Sequence, residues 1–188
     1  MTTASGARAR AASAAASGRT SITIREATID DLVTVVELRL ALLRENAGHP
    51  VYGRLRRDVR ERAHNLFAAQ LEHPGETIFL AERGGETLGI LRCVESTGSP
   101  LLIPVRYCYI SSVYVRPNVR RTGVLRALFE RATQWCVERG LDEMRLHNVP
   151  DTAASRAWNA LGFDVVEEVR MRAVTPANGD GAGGRRRR

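Results

Sequence analysis

The spacing of apolar and polar residues divides positions 21–174 into short strands and amphipathic helices. Residues 21–26, SITIRE, alternate β-branched and polar side chains, which is typical of a half-buried strand. From Leu32 onward the apolar positions instead recur at helical spacing. We expect this helix to begin at Thr28, because Thr28 followed by Asp31 matches a capping box.

Further along the chain the pattern changes repeatedly between the two periods. The Gly84–Gly85 dipeptide predicts a tight hairpin, because it supplies positive φ angles at low cost. The other predicted elements are, in chain order, a helix over 56–71, strands over 77–83, 86–95 and 106–115, a helix over 123–139, a strand over 143–148, a helix over 152–161 and a last strand over 163–174. This order predicts an α/β (α+β) domain with a mixed sheet that is antiparallel at first and ends with a βαβ crossover.

The two ends of the chain differ in composition from the region between them. The chain has 188 residues and a formal net charge of +7, of which residues 1–20 and 175–188 contribute +3 each, leaving about +1 for residues 21–174. Low-complexity ends with few large apolar residues bury too little surface to fold. We therefore predict one domain at 21–174 between two disordered tails, the second of them basic. The excess charge belongs to the tails, which argues against a nucleic-acid groove on the domain.

Cysteine usage and hydropathy restrict the environment of the protein. Cys93, Cys108 and Cys136 are scattered, odd in number and without C-x-x-C spacing, which argues against a disulfide framework and a metal site. No apolar run approaches the roughly 20 residues of a membrane span. The first residues lack the apolar core of a secretory signal, although their Arg, Ser and Ala content without acids resembles a transit peptide. We expect a cytoplasmic protein with free thiols, no metal and no membrane contact.

The stretch Val115–Ala132, VRPNVRRTGVLRALFERA, concentrates positive charge between a strand and a helix. Arg120 and Arg121 repel each other there, which predicts a negatively charged partner. Backbone N–H groups converge at such a junction, and the helix dipole adds about half a positive charge, so the site suits a pyrophosphate. Gly123 lets the chain approach the ligand closely. The spacing matches neither a Walker loop nor a dinucleotide fingerprint, and the alternative is a basic helix start without a ligand.

In this stretch the sequence resembles the GNAT superfamily of N-acetyltransferases. The family pattern, V-x-V-x-P followed by Q/R-x-x-G-x-G/A, reads here Val113-Tyr114-Val115-Arg116-Pro117 and then Arg120-Arg121-Thr122-Gly123-Val124-Leu125. The arginine and the first glycine match, whereas Leu125 replaces the second glycine or alanine. The resemblance covers about residues 22–172. It implies a mixed, mostly antiparallel sheet of about six to seven strands, flanked by helices on both faces.

The resemblance also implies acetyl-CoA as cosubstrate and assigns residues to it. Main-chain atoms of Val113, Tyr114 and Val115 would bind the pantetheine arm and the acetyl oxygen, because the family splays this strand from its neighbour. The pyrophosphate would bind the loop and the first helical turn, which comprise Arg120, Arg121, Thr122, Gly123, Val124, Leu125 and Arg126.

A second match lies in the segment Ala154–Phe163, which compares with N-x-x-A-x-x-x-Y-x-x-x-G-F. The alanine, glycine and phenylalanine match, while Asp151 stands at the asparagine and Trp158 at the tyrosine. In many members that tyrosine lies near the sulfur of CoA and can protonate the leaving thiolate. An indole only donates a hydrogen bond and is no acid at neutral pH. The resemblance implies that Asp151, Ser155 and Trp158 contact the cosubstrate, with water or another residue as the acid; a core position is the alternative for Trp158.

The catalytic base is the least defined residue of the resemblance. Family members often place Glu or His where Tyr109 or Ser111 stands here. Tyrosine has an unperturbed pKa of about 10, so we expect Tyr109 to hold a water that carries the proton away. The alternatives are ordered water alone or one of Glu45, His49, Glu95 and His147.

Two features of the sequence give conflicting indications about the acceptor. The acceptor is expected over the segment that joins the first two helices and over the first hairpin. Glu45 suits a cationic amine there, whereas the basic run at 54–62 suits a carboxylate or phosphate. We expect an acetyl-CoA-dependent N-acetyltransferase that acts on a primary amine of a small molecule by direct attack. A protein acceptor, lysine or N terminus, is one alternative, and a non-catalytic CoA-binding module is another, which Leu125 and Trp158 keep open. The oligomeric state, including a homodimer, stays open.

Overall fold

The computed structural model describes residues 21–103 and 105–174. Its strands are β1 (Thr23–Glu26), β2 (Glu76–Arg83), β3 (Glu86–Thr97), β4 (Arg106–Val115) and β5 (Glu143–Leu146). Its α-helices are α1 (Leu32–Glu45), α2 (Val59–Leu71), α3 (Val124–Arg139) and α4 (Ala153–Ala160), and short 3-10 turns precede α1 and α3. The two tails predicted at 1–20 and 175–188 lie outside the described residues. The chain divides after Asn148 into two compact units.

The first unit is built on one five-stranded sheet in the order β1-β2-β3-β4-β5. The pairs β1–β2, β2–β3 and β3–β4 are antiparallel, and β4–β5 is parallel. Parallel neighbours require a crossover, and α3 lies between β4 and β5 in the chain. The mixed sheet and its βαβ unit are therefore confirmed.

Helices cover both faces of this sheet. On one face, buried residues of α1 and α2 form a single cluster with Ile78, Ile90 and Tyr114 of the sheet. On the other face, the Arg131 guanidinium of α3 lies 4.8 Å from the centroid of the Phe79 ring. Ile78 and Phe79 are neighbours in β2, so successive side chains reach different helical layers, as strand pleating requires. The helices on both faces were predicted from the resemblance and are confirmed.

Local sequence signals account for several element boundaries. The backbone N–H of Thr28 donates to the Asp31 carboxylate at 2.9 Å, as a capping box requires. The Arg25 guanidinium bonds the same carboxylate and lowers the pKa of Asp31 to about 2. Gly84 and Gly85 have φ angles of 59° and 82° between β2 and β3, which confirms the predicted hairpin.

The predicted last strand, residues 163–174, is wrong. This segment carries neither strand nor helix, and Val165, Val166 and Val169 are exposed. Its β-branched residues favour an extended chain, but a strand forms only where a neighbouring strand bonds its backbone. Within the described residues the sheet therefore has five strands, fewer than the six to seven expected.

Candidate active site

Strand β4 changes the direction of its side chains at Ser112. This residue has a φ of 52°, and the register with β3 shifts between the pairs Ile90↔Tyr114 and Arg92↔Ser111. A bulge of this kind adds one residue and reverses the alternation beyond it. As a result Ser111 bonds Arg92 before the bulge, while Tyr114 after it packs in the α1–α2 cluster. Ser111 and Tyr114, which are three positions apart, therefore face the same layer of helices, whereas regular alternation would place them on opposite faces.

The second half of β4 also separates from β5. The parallel pairing covers only Tyr107–Ile110 against Glu143–Leu146. Within residues 21–103 and 105–174, no strand pairs with residues 111–115 on that side. Val113, Tyr114 and Val115 lie in this part of the strand, so their main chain has an open edge. This is the local arrangement that the sequence resemblance predicted for the strand.

The loop between β4 and α3 is open at the start of the helix. Arg121 and Gly123 have φ angles of 63° and 92°, both in the left-handed region. A Cβ at Gly123 would meet no atom within 4 Å, so the space in front of this residue is open. Among the described residues, no acceptor is bonded to the backbone N–H groups of the first helical turn, which are those of Val124, Leu125 and Arg126. Free N–H groups at a helix start attract phosphate oxygens.

The polar side chains of this loop are partly engaged within the protein. The Thr122 hydroxyl donates to the carbonyl oxygen of Val119 at 2.7 Å. Arg120 donates through Nε to the Val115 carbonyl at 2.9 Å and through Nη2 to both carboxylate oxygens of Glu45 at 2.7 Å. The candidate phosphate-binding Arg120 and the candidate base Glu45 therefore form an ion pair with each other. Arg121 is exposed and adds positive charge at the same turn.

Tyr109, the candidate catalytic residue, forms a hydrogen-bonded pair with His147. The Tyr109 hydroxyl lies 3.1 Å from Nδ1 of His147, and the two rings meet edge to face. Burial raises the pKa of Tyr109, so the phenol stays protonated at neutral pH. The sequence did not couple these two residues, because they are 38 positions apart.

The other two candidate bases have different partners. His49 accepts hydrogen bonds through Nδ1 from the backbone N–H groups of Val51 and Tyr52, each at 3.2 Å, and so fixes the turn after α1. Glu95 pairs with Arg106 and Arg139, and the Arg106 guanidinium lowers the pKa of this carboxyl. A carboxylate that is held in two ion pairs is a weaker base than a free one.

The second unit contains the other predicted cosubstrate contacts. Asp151 has a φ of 58° and directly precedes Thr152, whose side chain accepts the backbone N–H of Ser155 at 3.1 Å to cap α4. Trp158 is buried, and its ring meets the Phe163 ring edge to face at 5.4 Å. The match around Asp151, Ser155 and Trp158 therefore corresponds to a capped helix with an aromatic pair.

A cluster that the sequence analysis did not identify lies on the α1–α2 side of the sheet. Arg92 pairs with Glu76 at 2.6 Å and donates to the Ser111 hydroxyl at 3.0 Å. The partly buried Arg39 of α1 interacts electrostatically with Arg92, Tyr52 and Tyr109, and burial lowers the pKa of its guanidinium. The sequence contained a signal for the burial of Arg39, because this residue follows Val35 and Val36 at helical spacing on the buried stripe of α1.

Two classes of site find no support in the described part of the chain. None of its helices is both long and apolar enough to cross a membrane. No group of three or more His, Cys, Asp or Glu side chains in residues 21–103 and 105–174 is arranged to hold a metal ion.

Comparison with known proteins agrees with this geometry. Residues 40–163 match the acetyltransferase (GNAT) family, and this match spans β4, the loop between β4 and α3, and α4. The chain belongs to the acetyltransferase (GNAT) family. No curated protein matches the chain significantly.

Solved structures share the GNAT fold with this chain. A predicted acetyltransferase with acetyl-CoA from Clostridium acetobutylicum is 17% identical, with a TM-score of 0.67 over 81% of this chain and 96% of the other. A GCN5-related N-acetyltransferase from Ralstonia eutropha JMP134 is 23% identical, with a TM-score of 0.66 over 81% and 99%. AAC(6')-Iy in complex with the bisubstrate analogue CoA-S-monomethyl-acetylneamine is 20% identical, with a TM-score of 0.64 over 83% and 99%. At these identities the likeness shows the fold.

Proposed function

We propose that this protein is an acetyl-CoA-dependent N-acetyltransferase that acetylates a primary amine of a small molecule by direct attack. The observation that carries the proposal is the junction of β4 and α3. There an open strand edge at Val113–Val115 leads into a loop with free N–H groups and open space at Gly123. A thioester with a pyrophosphate needs both parts, because its arm pairs with main-chain groups and its phosphates bind a helix start.

The residues present fit this cosubstrate, which supplies the activated acetyl group. The N–H groups of Val124, Leu125 and Arg126 are available to phosphate oxygens. Leu125, the departure from the family pattern, is partly buried, and the space in front of Gly123 is open. Among the described residues, no side-chain hydrogen bond or ion pair holds Arg121, whereas Arg120 must release Glu45 or bind the anion together with it.

The attacking amine loses a proton during the reaction, and this proton needs an acceptor near the acetyl group. We propose that the Tyr109–His147 pair supplies it, with the phenol passing a proton to the imidazole directly or through a water. Tyr109 also interacts electrostatically with Arg39 of α1 and with Tyr52 in the turn after it. The protein would otherwise act by proximity, holding the amine and the thioester together.

The first experiment measures the melting temperature with acetyl-CoA, CoA and ATP, each at about 100 times its dissociation constant where one exists. A bound ligand then adds about 2.7 kcal/mol, which corresponds to a rise of about 5–10 °C for a domain of this size. We expect this rise with both CoA species for the wild type, and its loss in Gly123→Trp. Release of free thiol from acetyl-CoA with an amine panel follows as the activity assay.

The matched control is Gly140→Trp, at the other end of the same helix. Gly140 also has a positive φ, of 62°, and a Cβ there would also meet no atom within 4 Å. The two variants carry a comparable conformational cost, but only Gly123→Trp should abolish the response to CoA. A response that Gly123→Trp retains would contradict the assignment of the loop. Binding of CoA without thiol release from any amine would favour the non-catalytic module.

A further inference from the structure

Several arginines on the α1–α2 side of the sheet have carboxylate partners. Arg120 pairs with Glu45, Arg60 with Glu37, and Arg62 with Asp58. Three of the five arginines in the basic run at 54–62, which suggested an anionic acceptor, are thus in surface ion pairs. Glu45, which suggested a cationic acceptor, is likewise held by an arginine. Neither of these features of the sequence therefore determines the charge of the acceptor.

Arg39 differs from these arginines. It is partly buried, and no carboxylate within residues 21–103 and 105–174 lies at ion-pair distance from its guanidinium. Its electrostatic neighbours are Tyr52, Tyr109 and Arg92, of which Arg92 is a second cation. Burial of a charge is costly unless that charge is paired and hydrogen-bonded. The environment of Arg39 would therefore gain from an anion.

The local charge balance leads to the same conclusion. Arg92 is neutralised by Glu76, to which it donates from both Nε and Nη2 at 2.9 and 2.6 Å. This pair is well shielded from solvent, with 14% and 12% of the two side chains exposed. The set of Arg39, Arg92 and Glu76 therefore carries a net charge of +1, which belongs to Arg39.

We propose that the acceptor amine also carries an oxyanion group, a carboxylate or a phosphate, and that Arg39 binds this group. This inference rests on the proposed function, since it names the class of molecule that enters the acceptor side. Guanidinium matches both groups through paired hydrogen bonds. The Tyr52 hydroxyl interacts electrostatically with Arg39 and is an additional donor, whereas the Tyr109 hydroxyl is paired with His147. The amine would then lie toward β4, where Tyr109 meets His147.

The test uses calorimetric titration of the CoA-saturated protein with two matched pairs of amines. L-phenylalanine is compared with phenethylamine, which lacks the carboxylate, and phosphoethanolamine with ethanolamine, which lacks the phosphate. Saturation with CoA keeps added phosphate away from the loop after β4. We expect the anionic member of at least one pair to bind about 10- to 100-fold more tightly, as for a hydrogen bond to a charged group. The pair that shows the preference distinguishes carboxylate from phosphate.

Three variants assign the preference to Arg39. Arg39→Gln should abolish it, and Arg39→Lys, which keeps the charge but loses the paired geometry, should restore part of it. Arg44→Gln is the control, because Arg44 is exposed in the last turn of the same helix. The melting temperature of each variant shows whether it is folded, and Arg39→Lys keeps the test valid if Arg39→Gln is not.

The outcomes separate this inference from the proposed function. Equal affinity within both pairs, or a preference that persists in Arg39→Gln, would overturn the oxyanion site even if the protein binds CoA and releases thiol. Failure of CoA to raise the melting temperature would instead count against the proposed function. The titrations are then made without CoA, and a preference that depends on Arg39 supports the oxyanion site while its absence overturns it.

Discussion

Gly89 lies where a single methyl group would disturb β4, the strand proposed to bind acetyl-CoA. It is in the central strand β3, paired with Ala81 on one side and Val115 on the other. A Cβ at this position would approach the backbone oxygen of Tyr114 to 2.7 Å and a methyl group each of Val115 and Val124 to 3.3 Å. The backbone oxygen cannot rotate away, so Gly89→Ala must push β4 outward at the proposed acetyl-CoA contact.

The size of the effect follows from two opposing terms. Overpacking of this kind costs about 1–3 kcal/mol. Replacing glycine by alanine restricts the unfolded chain and returns about 0.4–1 kcal/mol. We expect a net loss near 1.5 kcal/mol, which corresponds to a fall of about 3–6 °C in melting temperature. The same variant should also weaken acetyl-CoA binding, because Tyr114 and Val115 move with the strand.

The matched control is Gly48→Ala, in the turn after α1. A Cβ there would meet no atom within 4 Å, and its backbone needs no positive φ. Calorimetric melting with and without acetyl-CoA should show this variant within about 0.5 kcal/mol of the wild type. The reasoning about β4 is refuted if both variants melt alike and respond alike to acetyl-CoA.

Three further predictions concern the described part of the chain. Asp31 has a folded pKa of about 2 against an ordinary 3.8, so its pair with Arg25 stabilises the fold above pH 4 and this stabilisation is lost as the pH falls through 2. Since Arg25 is 43% exposed, Asp31→Asn should remove only about 1 kcal/mol of this pH-dependent stability, as measured by acid titration. The hydrogen bond to Cys108 and burial raise the pKa of Cys136, and all three cysteines are buried. A thiol reagent at pH 8 should therefore label no cysteine of the folded protein and all three after unfolding, and rapid labelling of the folded protein would disprove this. Arg92→Met should cost about 2–4 kcal/mol in urea unfolding, because it leaves Glu76 shielded and unpaired, whereas the double variant with Glu76→Leu should recover most of the loss; equal losses would show that the pairing is not the cause.

The fold could be predicted from the sequence where local signals and burial agree. The ends of the helix before Gly140 and of the strand before Pro117 are set by those neighbouring residues, and the predicted ends agree with the observed ones. Residues 163–174 have comparable β propensity and nevertheless form no strand. The difference lies in pairing partners, which are distant in sequence and leave no mark on the segment itself.

The candidate site divides in the same way. The loop around Gly123 could be predicted, because a turn needs particular residues at adjacent positions. The contact of Tyr109 with His147 and the ion pair of Glu45 with Arg120 join residues 38 and 75 positions apart, so no local pattern showed them. Arg39 was missed for another reason. It lies on the buried stripe of its helix, but attention to apolar residues alone passes over a charge that shares their face.

The bulge at Ser112 has a consequence for how this protein could change its acceptor. Residues before it, such as Tyr109, face the side proposed for the amine, while the main chain after it is the part proposed to hold the thioester. Main-chain contacts are insensitive to the identity of the side chain, and the bulge fixes the register of the second half independently of the first. Under the proposed function, a side-chain mutation before the bulge can therefore change which amine is accepted while the main-chain contacts to the thioester stay the same.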